Sequence, residues 1–151
     1  MDFLIRPAET RDLEACARVV NDYVDATDWL PRMKPRDEIA AMFVPELLTM
    51  RWLLVAEEAG RVVGYLSMGG SGHIAAFYLD PEARGRGIGR AMMEAAKAHS
   101  PGGLTLTVFE PNVAAQRFYA REGLVEDEAR RDDATEEGVP CLLLRWPGVG
   151  T

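Results

Sequence analysis

Three glycines on alternate positions, in the run Arg84-Gly85-Arg86-Gly87-Ile88-Gly89, constrain this chain more than any other segment. The run follows the apolar stretch Ile74-Ala75-Ala76-Phe77-Tyr78-Leu79. It opens a helical pattern over 88–99, with Ile88, Ala91, Met92, Ala95 and His99 on one face. Glycine lets a backbone turn tightly and bring its N–H groups close to a ligand. The helix that follows directs the positive end of its dipole at the same spot. Arg84, Arg86 and Arg90 add charge that suits phosphate. A strand, a glycine loop and a helix in that order make an anion cradle, read here as a pyrophosphate cradle.

At 151 residues the chain is read as one domain spanning 1–151, and its 48% hydrophobic content supports a core. No apolar stretch approaches the roughly 20 residues of a membrane helix, so no membrane association is expected. The start, Met1-Asp2-Phe3-Leu4-Ile5-Arg6, lacks the basic and long apolar regions of a signal peptide. Cys16 and Cys141 are far apart, the only histidines are His73 and His99, and no metal site is predicted. A reduced, cytoplasmic protein is expected. The formal net charge of −7 argues against a nucleic-acid partner. Acidity concentrates over 126–137, whereas positive charge gathers at Arg84, Arg86 and Arg90. An acidic body with a local basic cradle suits a cationic amine together with an anionic cofactor.

Along the chain, Phe3-Leu4-Ile5-Arg6 reads as a first strand ended by Pro7. Thr10 is placed to cap a helix carrying Leu13, Ala17, Val20 and Val24 at helical spacing. A loop over 25–35 precedes a second short helix marked by Ile39, Met42 and Phe43 and interrupted near Pro45. Residues 51–57 and 61–68 read as a hairpin, and 73–79 as the fourth strand. After the 88–99 helix, Leu104-Thr105-Leu106-Thr107-Val108-Phe109 is a strand rich in β-branched residues. Pro111-Asn112 begins another helix, closed at Gly123 by a left-handed cap. Leu124-Val125 and residues 141–146 supply the last strands.

Two nucleotide-binding alternatives fail on residues. A Rossmann loop needs Gly-x-Gly-x-x-Gly after the first strand, and this run is Gly-x-Gly-x-Gly after a late one. A phosphate loop of nucleotide hydrolases needs a closing Gly-Lys-Ser/Thr, which does not occur. The run does match Arg/Gln-x-x-Gly-x-Gly/Ala. A second pattern, Asn-x-x-Ala-x-x-Phe-Tyr followed by Gly and an apolar residue, is met by Asn112, Ala115, Phe118, Tyr119, Gly123 and Leu124. In these paired motifs the chain resembles the GCN5-related N-acetyltransferase (GNAT) family over about residues 3–146. It departs at Leu124, where the family usually has Phe.

The resemblance implies an α/β fold with a mostly antiparallel mixed sheet of about seven strands, flanked by about four helices. The sheet would splay between strands four and five, beside Tyr78 and Leu79. Acetyl-coenzyme A would lie in that cleft as acyl donor to a small-molecule or peptide primary amine, attacked directly in a ternary complex. Gly85, Arg86, Gly87, Ile88, Gly89 and Arg90 would hold the pyrophosphate. Arg84 would contact it through its backbone, its side chain or both. The Leu79 backbone resembles the position that polarises the acyl carbonyl, where negative charge develops. Tyr119 resembles the acid that protonates the departing thiolate. Asn112 suits either bonding to the pantetheine arm or capping its helix. Three sources remain for the base: His73, Glu110 and solvent. Asp25, Asp28 and Trp29 would face the acceptor, or else cap a helix and fill the core. A coenzyme A-binding module without catalysis, another acyl donor and an O-acceptor are the alternative functions. A monomer or a homodimer is expected.

Overall fold

The β-branched and aromatic runs assemble into one sheet, and the helical stripes cover its two faces. The computed structural model describes the backbone of residues 2–149 and the side chains within them other than those of 128–130. The elements are β1 (Phe3–Pro7), α1 (Leu13–Asp25), α2 (Arg36–Ala40), α3 (Leu47–Met50), β2 (Trp52–Glu58) and β3 (Arg61–Met68). There follow β4 (His73–Leu79), α4 (Ile88–His99), β5 (Leu104–Phe109), α5 (Val113–Arg121), β6 (Val125–Asp132) and β7 (Cys141–Trp146). The seven strands lie in the order β1-β2-β3-β4-β5-β7-β6. Every neighbouring pair is antiparallel except β4 and β5. Those two run parallel and meet only at His73↔Thr105 and Ile74↔Leu106. Beyond Ile74 they part, as the family resemblance implies.

One face of the sheet packs Ile88, Met92, Met93 and Ala96 of α4 and Tyr119 of α5 against Leu54, Leu66 and Leu106. The other packs Leu13, Cys16 and Val19 of α1 against Leu53, Val55 and Tyr65. Each fully buried side chain of this size contributes about 1.5–3 kcal/mol. Two register shifts aim the residues near the fork. Ala75 is the extra residue on β4, so Ile74 and Ala76 fall on opposite faces although they are two apart. Val63 plays the same part on β3. Gly64 is needed for close approach: a Cβ there would lie 3.0 Å from both Leu79 Cδ1 and Met92 Sδ. Its absence lets α4 and the end of β4 close on β3.

Several local expectations change. Thr10 does not cap α1; it begins a short 3-10 turn, Thr10–Asp12. Asp12, 3% exposed, accepts the Glu9 N–H at 2.7 Å and a forked pair from Arg6 at 2.7 and 3.0 Å. The second helix is two short ones, α2 and α3, with Pro45 between them. β6 extends well past Val125, to Asp132. The Gly123 cap forms as read, with φ +90°. The Leu124 N–H donates to Tyr119 O and the Gly123 N–H to Ala120 O, a Schellman arrangement that buries Leu124 beside Tyr119.

Candidate active site

The fork supplies backbone groups before any side chain is considered. The Asp80 N–H donates to Val63 O at 2.8 Å, and Tyr78 pairs with Tyr65, so both turn toward β3. Strand groups alternate in direction. Phe77 and Leu79 therefore direct their N–H and C=O to the side that β5 has left. Arg84 Nη2 reaches Leu79 O from that side at 3.5 Å.

The loop then turns through a 3-10 segment, Pro81–Ala83, which the sequence reading missed. Gly85 and Gly87 follow at φ +77° and +87°, a region open to glycine and costly to other residues. Gly87 caps α4, whose first intrahelical bond runs from Ala91 N–H to Gly87 O. The N–H groups of Ile88, Gly89 and Arg90 precede that bond and face outward with the helix dipole. Ile88 is fully buried, so its side chain anchors the helix while its backbone serves the loop. The Arg86 side chain does not line the cavity at the fork. Its guanidinium is turned away from the cradle and forks onto Glu58, Nη1 to Oε2 at 2.5 Å and Nη2 to Oε1 at 2.8 Å.

A cavity of about 900 Å³ opens at the fork. Its walls are Tyr23, Asp28 and Trp29 from α1 and the following loop, Phe77, Tyr78 and Leu79 from β4, and Arg84, Gly85 and Gly87 from the glycine loop. Gly89, Arg90, Glu94 and Lys97 of α4 and Asn112, Phe118 and Tyr119 at α5 complete it. Eleven residues expected from sequence therefore share one cavity: Tyr78, Leu79, Arg84, Gly85, Gly87, Gly89, Arg90, Asn112, Tyr119, Asp28 and Trp29. Arg86, Ile88, His73 and Glu110 do not line it.

Tyr119 is 8% exposed, and burial pushes its phenol well above the usual tyrosine range, with Tyr23 and Tyr78 adding to the shift. Burial likewise raises Tyr78 to about 12 and Tyr23 above its ordinary value. All three phenols hold their protons at neutral pH. Asn112 performs the capping role, its Oδ1 accepting from Ala115 N–H at 3.2 Å, and its Nδ2 also donates to Tyr23 Oη at 3.1 Å. Tyr23 was not singled out from sequence. Its ring packs 4.9 Å from that of Tyr78, with the Arg84 guanidinium 5.9 Å from its centroid. Only its place three residues after Val20 on the α1 stripe pointed inward.

The two base candidates lie elsewhere. His73 stands where β4 and β5 still pair, its Nδ1 2.8 Å from Thr105 Oγ1. Six residues of strand put it about 20 Å from Leu79. Burial, and then the charge of Arg51, lower its pKa. The expected base His73 thus lies outside the lining of the cavity. Glu110 is ion-paired with Arg131, and its N–H donates to Pro140 O. Trp29 meets Phe109 edge-on at 5.7 Å, and Asp28 is exposed at the cavity mouth. Among the described residues no cluster of three or more His, Cys, Asp or Glu could hold a metal, and no helix is long and apolar enough to cross a membrane.

A parted sheet with a glycine loop and a phenol at the fork defines an acetyltransferase-type cleft, and known proteins agree. The model of the acetyltransferase (GNAT) family matches residues 16–124. The chain is 32% identical over 111 residues to the peptidyl-lysine N-acetyltransferase YjaB of Salmonella typhimurium, covering 74% of this chain and 73% of that one. The solution structure of apo YjaB from Escherichia coli superposes with a TM-score of 0.76 at 30% identity, over 99% of this chain and 100% of that one. YncA of Salmonella typhimurium, solved with its cofactor acetyl-CoA, shares the fold at a TM-score of 0.75 and 21% identity, over 97% and 94% of the two chains. The chain belongs to the GNAT acetyltransferase family. It is an N-acetyltransferase.

Proposed function

We propose that the cavity at the fork takes acetyl-coenzyme A and that the chain passes the acetyl group directly to a primary amine, the side chain of a peptide lysine. One observation carries this reading. The glycine loop and the Asn112–Tyr119 segment, matched separately in sequence, line a single cavity. The relatives named peptidyl-lysine N-acetyltransferases support lysine as the acceptor.

The residues present fit a diphosphate-bearing donor. Gly85 and Gly87 line the cavity, and a Cβ on either would meet no protein atom within 4 Å, so the backbone is bare toward that space. Backbone N–H groups of residues 86–90, with Arg84 and Arg90, would hold the pyrophosphate. When bound, the thioester supplies the activated acetyl group. The Leu79 N–H, pointing into the gap, would donate to the acetyl carbonyl oxygen as negative charge develops there. Tyr119, protonated at working pH because it is buried, would deliver a proton or a strong hydrogen bond to the departing sulfur. Since His73 and Glu110 lie outside the cavity, the amine would lose its proton to solvent. Rates should then climb with pH toward the lysine pKa of about 10.4.

The test is free-thiol release from acetyl-coenzyme A across lysine peptides, polyamines, amino acids and small amines. Lysine peptides should be the fastest acceptors. Tyr119→Phe should lower turnover about 100-fold with acetyl-coenzyme A affinity retained. An unchanged Tyr119→Phe rate at every pH removes the acid role, and turnover confined to small amines removes the lysine reading.

A further inference from the structure

Arg86 stands between Gly85 and Gly87, and its side chain forks onto Glu58 outside the cavity. Glycine loses more conformational freedom on folding than any other residue, so a loop with Gly85 and Gly87 both at positive φ needs an external tether. The tip of the β2–β3 hairpin provides one. Glu58 and Arg61 pair across the two-residue turn Ala59-Gly60, whose residues both have positive φ, 53° and 77°. From this tip Glu58 accepts the Arg86 fork, and Arg61 Nη2 lies 3.9 Å from Asp80 Oδ2 at the loop's other end. Arg86 Nη2 also donates to Glu82 O at 3.3 Å, closing the loop on itself. A bidentate fork fixes orientation as well as distance, which one ammonium cannot do.

Resting on the acetyl-coenzyme A site proposed above, we infer that Glu58 and Arg86 form a clamp that presets the loop's N–H groups for the diphosphate. Both side chains serve to position the loop; neither side chain touches the donor. The competing role is direct contact with phosphate. Arg86 Nε is buried without a hydrogen-bond partner among the described residues, and through it that contact would run. The two roles make opposite predictions for Glu58. If Arg86 bound phosphate itself, removing the acid would free a positive charge and strengthen binding. If the pair is a clamp, removing either member loosens the same loop.

The experiment compares acetyl-coenzyme A with acetyl-pantetheine, which lacks the diphosphate, in the wild type, Glu58→Gln, Arg86→Ala, Arg86→Lys and the Glu58→Gln/Arg86→Ala double variant. Thermal melts check that each variant is folded. Each single change should raise KM for acetyl-coenzyme A about tenfold with kcat nearly constant. The double variant should be no worse than the singles, Arg86→Lys should recover only part, and KM for acetyl-pantetheine should not move. An unchanged or lower KM in Glu58→Gln beside a raised one in Arg86→Ala overturns the clamp in favour of direct contact. Equal losses with acetyl-pantetheine also overturn it, because the effect would then not act through the diphosphate. A wild type that binds no acetyl-coenzyme A overturns the underlying site, and the clamp's role with it.

Discussion

The glycine loop at the cavity and the segment that follows α1 are built differently. On the glycine-loop side, residues 77–90 are tied to the core by Asp80 and Ala83, both nearly or fully buried, and by Ile88. Asp80 is 2% exposed and takes a fork from Arg18, at 3.3 and 3.1 Å, and Arg18 also donates to Val62 O. In the segment after α1, α2 and α3 contain no buried residue. That segment is held by an exposed and a half-buried carboxylate: Asp25 accepts from Arg32 and Arg36, and Asp22 from Arg36 and Arg18. Met33, Met42, Val44 and Met50 lie exposed along the same stretch. The loop is anchored by buried groups. The other segment is a surface whose shape rests on solvated ion pairs, which hold weakly.

The sharpest way to break this contrast is to neutralise one acid in each region. Asp80→Asn leaves the Arg18 fork without its buried charge and should cost about 3 kcal/mol in chemical denaturation. Asp25→Asn should leave the transition almost where it was, since water already screens that pair. Similar losses from the two would erase the distinction. Next in size, Gly87→Ala should weaken acetyl-coenzyme A binding about tenfold through the cost of a left-handed alanine. Its Cβ has room, so the effect should appear in ligand affinity and not as a steric collapse.

His73→Gln should change turnover least, because its ring faces Thr105 at the closed end of the fork. A fall in neutral-pH activity that recovers in alkali would return His73 to the role of base. The same variant has a stability signature. The folded pKa of His73 lies below its ordinary 6.5, so the unfolded chain binds the proton more readily. Stability of the wild type should therefore fall as pH drops through 6.5, and His73→Gln should flatten that slope.

How far the site can be read from sequence follows the same division. Gly85, Gly87 and Gly123 were legible because positive φ is a local demand that a residue type satisfies by itself. The walls Leu79 and Tyr119 were legible through their spacing from those glycines. The ion pair of Arg86 was not legible because its partner lies 28 residues away in another hairpin. The place of His73 was not legible because only the sheet reveals that the strands separate after Ile74, leaving that histidine at the joined end. Thr10 lost its cap because Asp12, already gripped by Arg6, accepts the Glu9 N–H. Tyr23 escaped notice because its partners, Asn112 and Tyr78, come from separate elements.

The central claim is that the exposed N–H groups at the start of α4 receive the donor's diphosphate while the Leu79 N–H faces its acetyl end. Amide chemical shifts recorded on the wild type during titration with acetyl-coenzyme A address both at once. The largest changes should fall on Gly87, Ile88, Gly89 and Arg90, with Leu79 and the Asn112–Tyr119 segment following, and His73 nearly still. Saturable shifts that cluster away from the glycine loop, or none at all, would contradict the account.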